Sequence, residues 1–246
     1  DIVLNDQSKV ISNGGSFYIK AANQYNQKGS SEVRVNQGES QLSAASLVLE
    51  DQAQLNNGNG FLEILSASTI ELKDEAQVNT LEGDIFVQSE GAISLEDGAQ
   101  ITSQLGSLNI FTEDKFTLNN QSKVSSLGGE IKVNVGDEYA QNGESILSTS
   151  QGKIQVNADQ VILGDQSRVS NEQGSIELKS ENKFTMNNDA TIDLITGVIE
   201  LKTNKDNLEL NNKASIIVGQ GQLILDSGND IVLNDQSKVI SNGGSF

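Results

Sequence analysis

Residues 93–118 read ISLEDGAQITSQLGSLNIFTEDKFTL. Apolar and polar residues alternate in three short runs within this stretch, and small or turn-forming residues separate the runs. Alternation at a period of two residues is typical of β-strands. The stretch therefore predicts three short strands, and the pattern starts again at Phe116, 23 residues after Ile93.

The same pattern recurs along the whole chain. We take Leu95 as an anchor position, and we number coils 1 to 11 by the equivalent anchors, which lie 22 to 24 residues apart: Leu4, Gln27, Leu49, Leu72, Leu95, Leu118, Gln141, Leu163, Met186, Leu210 and Leu233. An apolar residue stands two positions before each anchor. Ala or Ser stands four positions after it, an apolar residue six after it, and Gly eleven after it. Stacking of equivalent positions on one another explains such constancy.

Three short strands in about 23 residues predict one rung of a parallel β-helix, an all-β solenoid. Long helices are excluded because no segment repeats with a period of 3.6 residues. An antiparallel sandwich also uses short strands, but it gives no reason for the same residue type to return at a fixed step ten times. Equivalent positions in successive coils are expected to lie about 4.8 Å apart along the axis.

Turn residues predict three corners in each coil. Only Asp, Asn or Gly stands two positions after an anchor, and these residues tolerate a left-handed backbone. The glycine eleven positions after each anchor predicts a second corner with positive φ: Gly15, Gly38, Gly60, Gly83, Gly106, Gly129, Gly152, Gly174, Gly197, Gly221 and Gly244. Coil length varies only after the last strand, so the third corner is expected to absorb insertions.

A longer repeat encloses the coils. Residues 1–17 read DIVLNDQSKVISNGGSF, and residues 230–246 repeat them letter for letter, 229 residues later. We therefore interpret residues 1–229 as one unit of ten coils, and residues 230–246 as the start of the next identical unit. Coils five apart match better than neighbours, which divides the unit into two related halves, about 1–114 and 115–229.

Composition excludes several classes of function. The 246 residues include 34 acidic and 16 basic ones, for a formal net charge of −18, and contain no Cys and no His. The negative charge argues against nucleic-acid binding. The missing residue types exclude thiol or imidazole catalysis and histidine metal sites. The acidic residues follow the repeat, so we expect no enzyme activity and no cofactor. Apolar runs are too short for a membrane span.

Three sets of residues are candidates for contacts. Asp51, Asp74 and Asp97 occupy the same corner of successive coils, where Ca²⁺ is a possible bridge; the alternative is a ladder of turns in which each side chain serves its own corner. Leu81, Leu105 and Leu127 stand beside the glycine corner of successive coils. If exposed, they form an apolar stripe suited to lateral bundling; folded over the corner, they are extra packing. Gln27 and Gln141 replace the anchor leucine, either as a lateral contact or as buried amides bonded to the backbone.

Stretches such as AISLEDGAQITSQLGSLNIF and FTLNNQSKVSSLGGEIKV resemble the haemagglutinin repeats of filamentous-haemagglutinin-type exoproteins. The resemblance covers the whole chain and is one of repeat style. It implies a right-handed β-helical fibre that a Gram-negative bacterium secretes by a two-partner system. It also implies an extracellular or cell-surface location.

We expect a structural segment of a long extracellular fibre whose partner is itself, through head-to-tail stacking of units and lateral bundling. The alternative is the shaft of a bacterial surface adhesin, with binding carried elsewhere. A solenoid coil contacts only its neighbours, so stability must come from stacking.

Overall fold

The computed structural model of the chain describes residues 1–244. Within that range every residue is in a β-strand, a turn or an irregular segment, and no helix is present. The strands form a single parallel solenoid of about ten coils, about 23 residues to a coil. The prediction of a parallel β-helix is confirmed.

The strands lie on three faces, which we name by their order in each coil. The anchor face contains β1 (Ile2–Leu4), β4 (Gln24–Gln27), β7 (Ser46–Leu49), β10 (Ile70–Leu72), β13 (Ile93–Leu95), β16 (Phe116–Leu118), β19 (Glu138–Gln141), β23 (Leu208–Leu210) and β25 (Ile231–Leu233). The second face contains β2 (Lys9–Ser12), β5 (Glu32–Gln37), β8 (Gln54–Asn59), β11 (Gln77–Glu82), β14 (Gln100–Ser103), β17 (Lys123–Ser126) and β26 (Lys238–Ser241).

The third face contains β3 (Phe17–Lys20), β6 (Ser40–Ala44), β9 (Leu62–Ser66), β12 (Ile85–Ser89), β15 (Leu108–Thr112) and β18 (Ile131–Val135). In the later coils the strand continues through one or more corners: β20 (Ile146–Leu163), β21 (Arg168–Met186), β22 (Thr191–Thr203) and β24 (Ser215–Ser227). These four long strands cover successive faces of coils 7 to 10.

Equivalent residues of adjacent coils pair directly across the ladder. Ile70 of β10 pairs with Leu47 in the coil before and with Ile93 in the coil after. All three side chains are fully buried. One continuous apolar core therefore runs along the axis, as the spacing of the anchors predicts.

In coils 2 to 10, eight side chains of each coil point inward, two more than the apolar pattern alone indicates. The additional positions lie eight and seventeen residues after the anchor. They hold mostly small or polar residues, such as Ser103 and Thr112, both of which are fully buried. Their fixed step in the sequence was a usable signal, but a search for apolar residues passes over it.

Changes in coil length occur at the third corner. Ala158 pairs with Ser180, whereas Gln160 pairs with Lys183, so the register shifts by one residue between them. The main-chain N–H groups of Asp159 and Gln160 both donate to the carbonyl oxygen of Asp137 there. The ladder on both sides of this corner is thus undisturbed, and the prediction of a variable third corner is confirmed.

Candidate functional site

The first corner is a tight turn with a left-handed backbone. In coil 4, Asp74 has φ 51° and Glu75 has φ 65°, and the N–H of Ala76 donates to the carbonyl of Lys73 at 3.0 Å. Two positive φ angles with this hydrogen bond define a type I′ turn. Every residue two positions after an anchor has positive φ, as predicted. The sequence did not reveal the second left-handed residue of coils 4 to 11, because Glu, Gln or Lys occupies that position in six of these eight coils.

The direction of the corner peptides reverses between coils 3 and 4. The N–H of Gln52 donates backward to the carbonyl of Gly29, whereas the N–H of Glu75 donates forward to the carbonyl of Asp97. Gln52 lacks the positive φ of Glu75. The corner amides of coils 3 and 4 consequently share no hydrogen bond, and the turn form of the first three coils differs from that of the later ones.

The aspartates of the first corner are exposed, and two of them accept hydrogen bonds from the corner of a neighbouring coil. Asp51 accepts a hydrogen bond from the N–H of Gly29 at 3.0 Å. Asp97 accepts one from the side-chain amide of Asn120 at 2.9 Å. Across residues 1–244, no three carboxylates are grouped in a way that could hold a metal ion. Asp51 and Asp97 therefore link the corners of adjacent coils, whereas the predicted alternative had each side chain serve its own corner.

At the second corner the glycines of successive coils form a line, in which the carbonyl group of each glycine lies against the Cα of the glycine in the next coil. Left-handed φ angles of 88° to 141° occur at Gly15, Gly38, Gly60, Gly83, Gly152, Gly174, Gly197 and Gly221. At Gly106 and Gly129 the φ angle lies outside that range, so positive φ is not the reason for glycine there. The reason is space, because a Cβ on Gly106 would overlap the carbonyl of Gly83. Gly244 stacks on Gly221 in the same way.

Buried hydroxyl groups hold this line of glycines from inside. Ser103 donates to the carbonyl of Gly83 at 3.2 Å and accepts from the N–H of Gly106 at 3.0 Å. Ser126 repeats both bonds one coil later, with Gly106 and Gly129 at 2.9 Å each. Each hydroxyl therefore links two coils, which gives the inward polar position a structural role.

Gln27 and Gln141 are buried amides with complete hydrogen bonding. The Gln141 amide nitrogen donates to the carbonyls of Ser145 and Arg168, each at 2.8 Å. Its oxygen accepts from the Tyr139 hydroxyl at 2.9 Å. Burial raises the pKa of the Tyr139 phenol, so the hydroxyl remains a donor at neutral pH. Tyr25 and Gln27 form the same arrangement five coils earlier, which makes these amides core residues rather than lateral contacts.

The leucines beside the glycine corner point into solvent. Leu81, Leu105 and Leu127 are 46%, 63% and 54% exposed. The N–H of Leu105 donates to the carbonyl of Leu81 at 3.2 Å, so the two lie on adjacent coils in direct contact along the ladder. Of the two interpretations of these residues, the geometry matches an exposed apolar stripe.

Charged side chains on the outer faces form ladders between coils. Glu177 lies 2.7 Å from Lys153 and 3.4 Å from Lys179. Partial burial alone would raise the pKa of the Glu177 carboxyl, but the two lysines outweigh it and hold that pKa below its usual value. These ladders tie neighbouring coils together and are partly open to solvent.

The C-terminal segment begins an eleventh coil on top of coil 10. Ile231 pairs with Leu208, and Val239 pairs with Ile216. In coil 1 the residues with the same sequence, Ile2 and Val10, pair with coil 2 in the same positions of the repeat. The sequence of coil 1 is therefore compatible with both ends of the ten-coil unit.

Comparison with models of protein families, with curated proteins and with solved structures gave no match for this chain. The described part of the chain has no helix that could cross a membrane.

Proposed function

We propose that the chain is a structural segment of a long extracellular fibre, in which ten-coil units follow one another along a common axis. The observation that carries the proposal is the stacking of residues 231–241 on coil 10. These residues have the sequence of coil 1, so the start of a second unit fits the end of the first without a break in register.

The described structure supports a role by length and stiffness. The parallel ladder continues from coil 1 to coil 11, and the core is continuous along it. Ten coils at about 4.8 Å each give a rise of about 48 Å per unit. A rod built this way resists bending, because each coil is bonded to its neighbours on three faces.

The resemblance to haemagglutinin repeats supports a right-handed coil, secretion and a place on the surface of a Gram-negative bacterium. We propose no catalytic activity, because the acidic side chains at the first corner bond to neighbouring corners and stand at a position that follows the repeat.

A second candidate is the shaft of a surface adhesin. The exposed stripe of Leu81, Leu105 and Leu127 favours it, since a lateral apolar contact suits a shaft that bundles or attaches along its side. In this candidate the binding function lies in another part of the parent protein.

The test is electron microscopy and fibre diffraction of the purified 246-residue chain at increasing salt. Salt screens the net charge of −18 and favours end-to-end contact. We expect rods of constant width that lengthen with salt, and a meridional reflection at about 4.8 Å from the spacing of the coils. Short rods of one length at every salt and protein concentration would contradict the fibre.

A further inference from the structure

We infer that each first corner is a two-state element whose direction is set by the neighbouring coils, so that a change at one corner passes to the next. The two states are the two directions of the central peptide of the turn. In the forward state its N–H group points to the next coil, and in the backward state it points to the previous coil. The inference goes beyond the proposed function and does not depend on it, because it concerns a single rod.

Both states occur in the structure. In coil 3, Asp51 has φ 61° and Gln52 has no positive φ, and the N–H of Gln52 donates backward to coil 2. In coil 8, Asp165 has φ 49° and Gln166 has φ 62°, and the N–H of Gln166 donates forward to coil 9. These signs of φ are those of type II′ and type I′ turns, which differ by a reversal of the central peptide.

The residue types of the corner do not decide its state. Asp and Gln are the two central residues in both coil 3 and coil 8, yet the two corners point in opposite directions. The neighbours differ instead. Coil 2 is also backward, since the carbonyl of Gly29 points forward and accepts from coil 3, whereas coil 8 lies between corners whose residues Glu144 and Asp189 donate forward.

Hydrogen bonds couple each corner to the next. Corners 4 to 11 all point forward, and each adjacent pair among them shares one main-chain hydrogen bond. Because a trans peptide directs its C=O opposite to its N–H, the carbonyls of Asp51 and Asp74 both face the boundary between coils 3 and 4. Within residues 1–244 neither carbonyl accepts a hydrogen bond from a main-chain N–H. Two-state units with nearest-neighbour coupling form a one-dimensional cooperative chain.

The boundary can move at little cost, whereas a corner inside a block cannot reverse alone. If coil 4 reversed, Glu75 would exchange its bond to Asp97 for one to the carbonyl of Asp51, and it would leave a left-handed backbone that its residue type disfavours. If coil 8 reversed, the bond that Asp165 accepts and the bond that Gln166 donates would both be lost, and none would be gained.

A contact that fixes the direction of one corner therefore also sets the direction of the coils between that corner and the boundary. The first corners provide a route along the rod for a conformational change that requires no rearrangement of the core. The route consists of identified two-state peptides, each bonded to the next, and this is the physical basis that coupling between distant sites requires.

The test places threonine at the second central residue of a corner, since a β-branched residue strongly disfavours positive φ. Glu75→Thr acts at the boundary, and Gln166→Thr is the matched control inside the forward block. Both residues are exposed, and their φ angles are 65° and 62°. NMR of the full chain reports the state, because a strong intraresidue HN–Hα NOE marks positive φ and other NOEs of the same N–H show which coil it faces.

In Glu75→Thr we expect residue 75 to lose the strong NOE and its N–H to face coil 3 instead of coil 5, with a nearly unchanged urea midpoint. In Gln166→Thr we expect residue 166 to remain left-handed and forward, and the urea midpoint to fall further. A third variant, Gln52→Gly, removes the side chain that disfavours positive φ in coil 3. It should raise the ratio of forward to backward NOE contacts of the N–H of residue 52 by about tenfold.

The outcomes separate a coupled corner from an independent one. If residue 75 stays left-handed in Glu75→Thr, or if both threonine variants reverse alike, each corner is set by its own residues and the inference is overturned. An unchanged ratio of contacts in Gln52→Gly would overturn it as well. None of these results depends on rods joining end to end, so the fibre and the two-state corner are tested separately.

Discussion

Gly106→Ala is expected to separate coils 4 and 5 at the second corner. The backbone of Gly106 lies outside the left-handed range, so alanine adds no torsional strain there. Its Cβ would overlap the main chain of Gly83. Main-chain atoms cannot relieve the overlap by changing rotamer, as a flexible side chain can. Overpacking in a core costs about 1–3 kcal/mol, and a main-chain overlap belongs at or above the upper end, about 3 kcal/mol.

Gly98→Ala is the matched control, because Gly98 has a left-handed φ angle but leaves space for a Cβ, the reverse of Gly106. Gly98 has φ 80°, yet a Cβ there would meet nothing closer than the Glu75 side chain at 3.6 Å. A left-handed alanine costs about 1–2 kcal/mol, and the stiffer unfolded chain returns about 0.4–1 kcal/mol. The expected net loss is about 1 kcal/mol.

Urea unfolding and amide hydrogen exchange of coils 4 and 5 measure the two variants. Exchange is the sharper assay, because a solenoid can open locally without global unfolding. We expect faster exchange around Gly83 in Gly106→Ala and almost none of this effect in Gly98→Ala. Equal stability losses in the two variants would refute the distinction between stacking and backbone strain.

Three further predictions concern the core, a charge ladder and the third corner. Gln141→Leu should cost about 1–3 kcal/mol in thermal or urea unfolding, because the Tyr139 hydroxyl and the carbonyls of Ser145 and Arg168 lose their partner; adding Tyr139→Phe should recover the part of that loss due to the hydroxyl, and no recovery would contradict the assigned hydrogen bond. The lowered pKa of Glu177 adds stability at neutral pH that is lost as pH falls below its unfolded value of 4.5; Glu177→Gln should flatten that part of the stability–pH curve slightly, since the pair is partly solvated. One glycine inserted after Glu113 should change the melting temperature little, and a loss as large as that of Gly106→Ala would refute the assignment of this corner.

The fold was predictable because stacking imposes the same chemistry on every coil. A position such as that of Ile70 must be apolar in each coil, so the period is visible without a structure. The left-handed residue after each anchor was predictable for the same reason, since Asp and Asn tolerate that backbone.

Other features were hidden because their cause lies in the neighbouring coil. Gly106 is required by the carbonyl of Gly83, so its own φ could not be deduced from its identity. Glu75 adopts a left-handed backbone that its residue type disfavours, because the next coil accepts its N–H. The exposure of Leu105 depends on which way the corner turns, and the apolar residue type alone does not determine that direction.

The reversal of the corner peptides between coils 3 and 4 has a mechanical consequence. Tension along the axis loads every inter-coil bond in parallel, and no corner amide bond joins coils 3 and 4 or coils 1 and 2. Under a pulling force these two junctions should be the first to part, and in a fibre of repeated units each would return about every 48 Å. The fibre would then extend by regular, reversible openings at these junctions before any coil unravels.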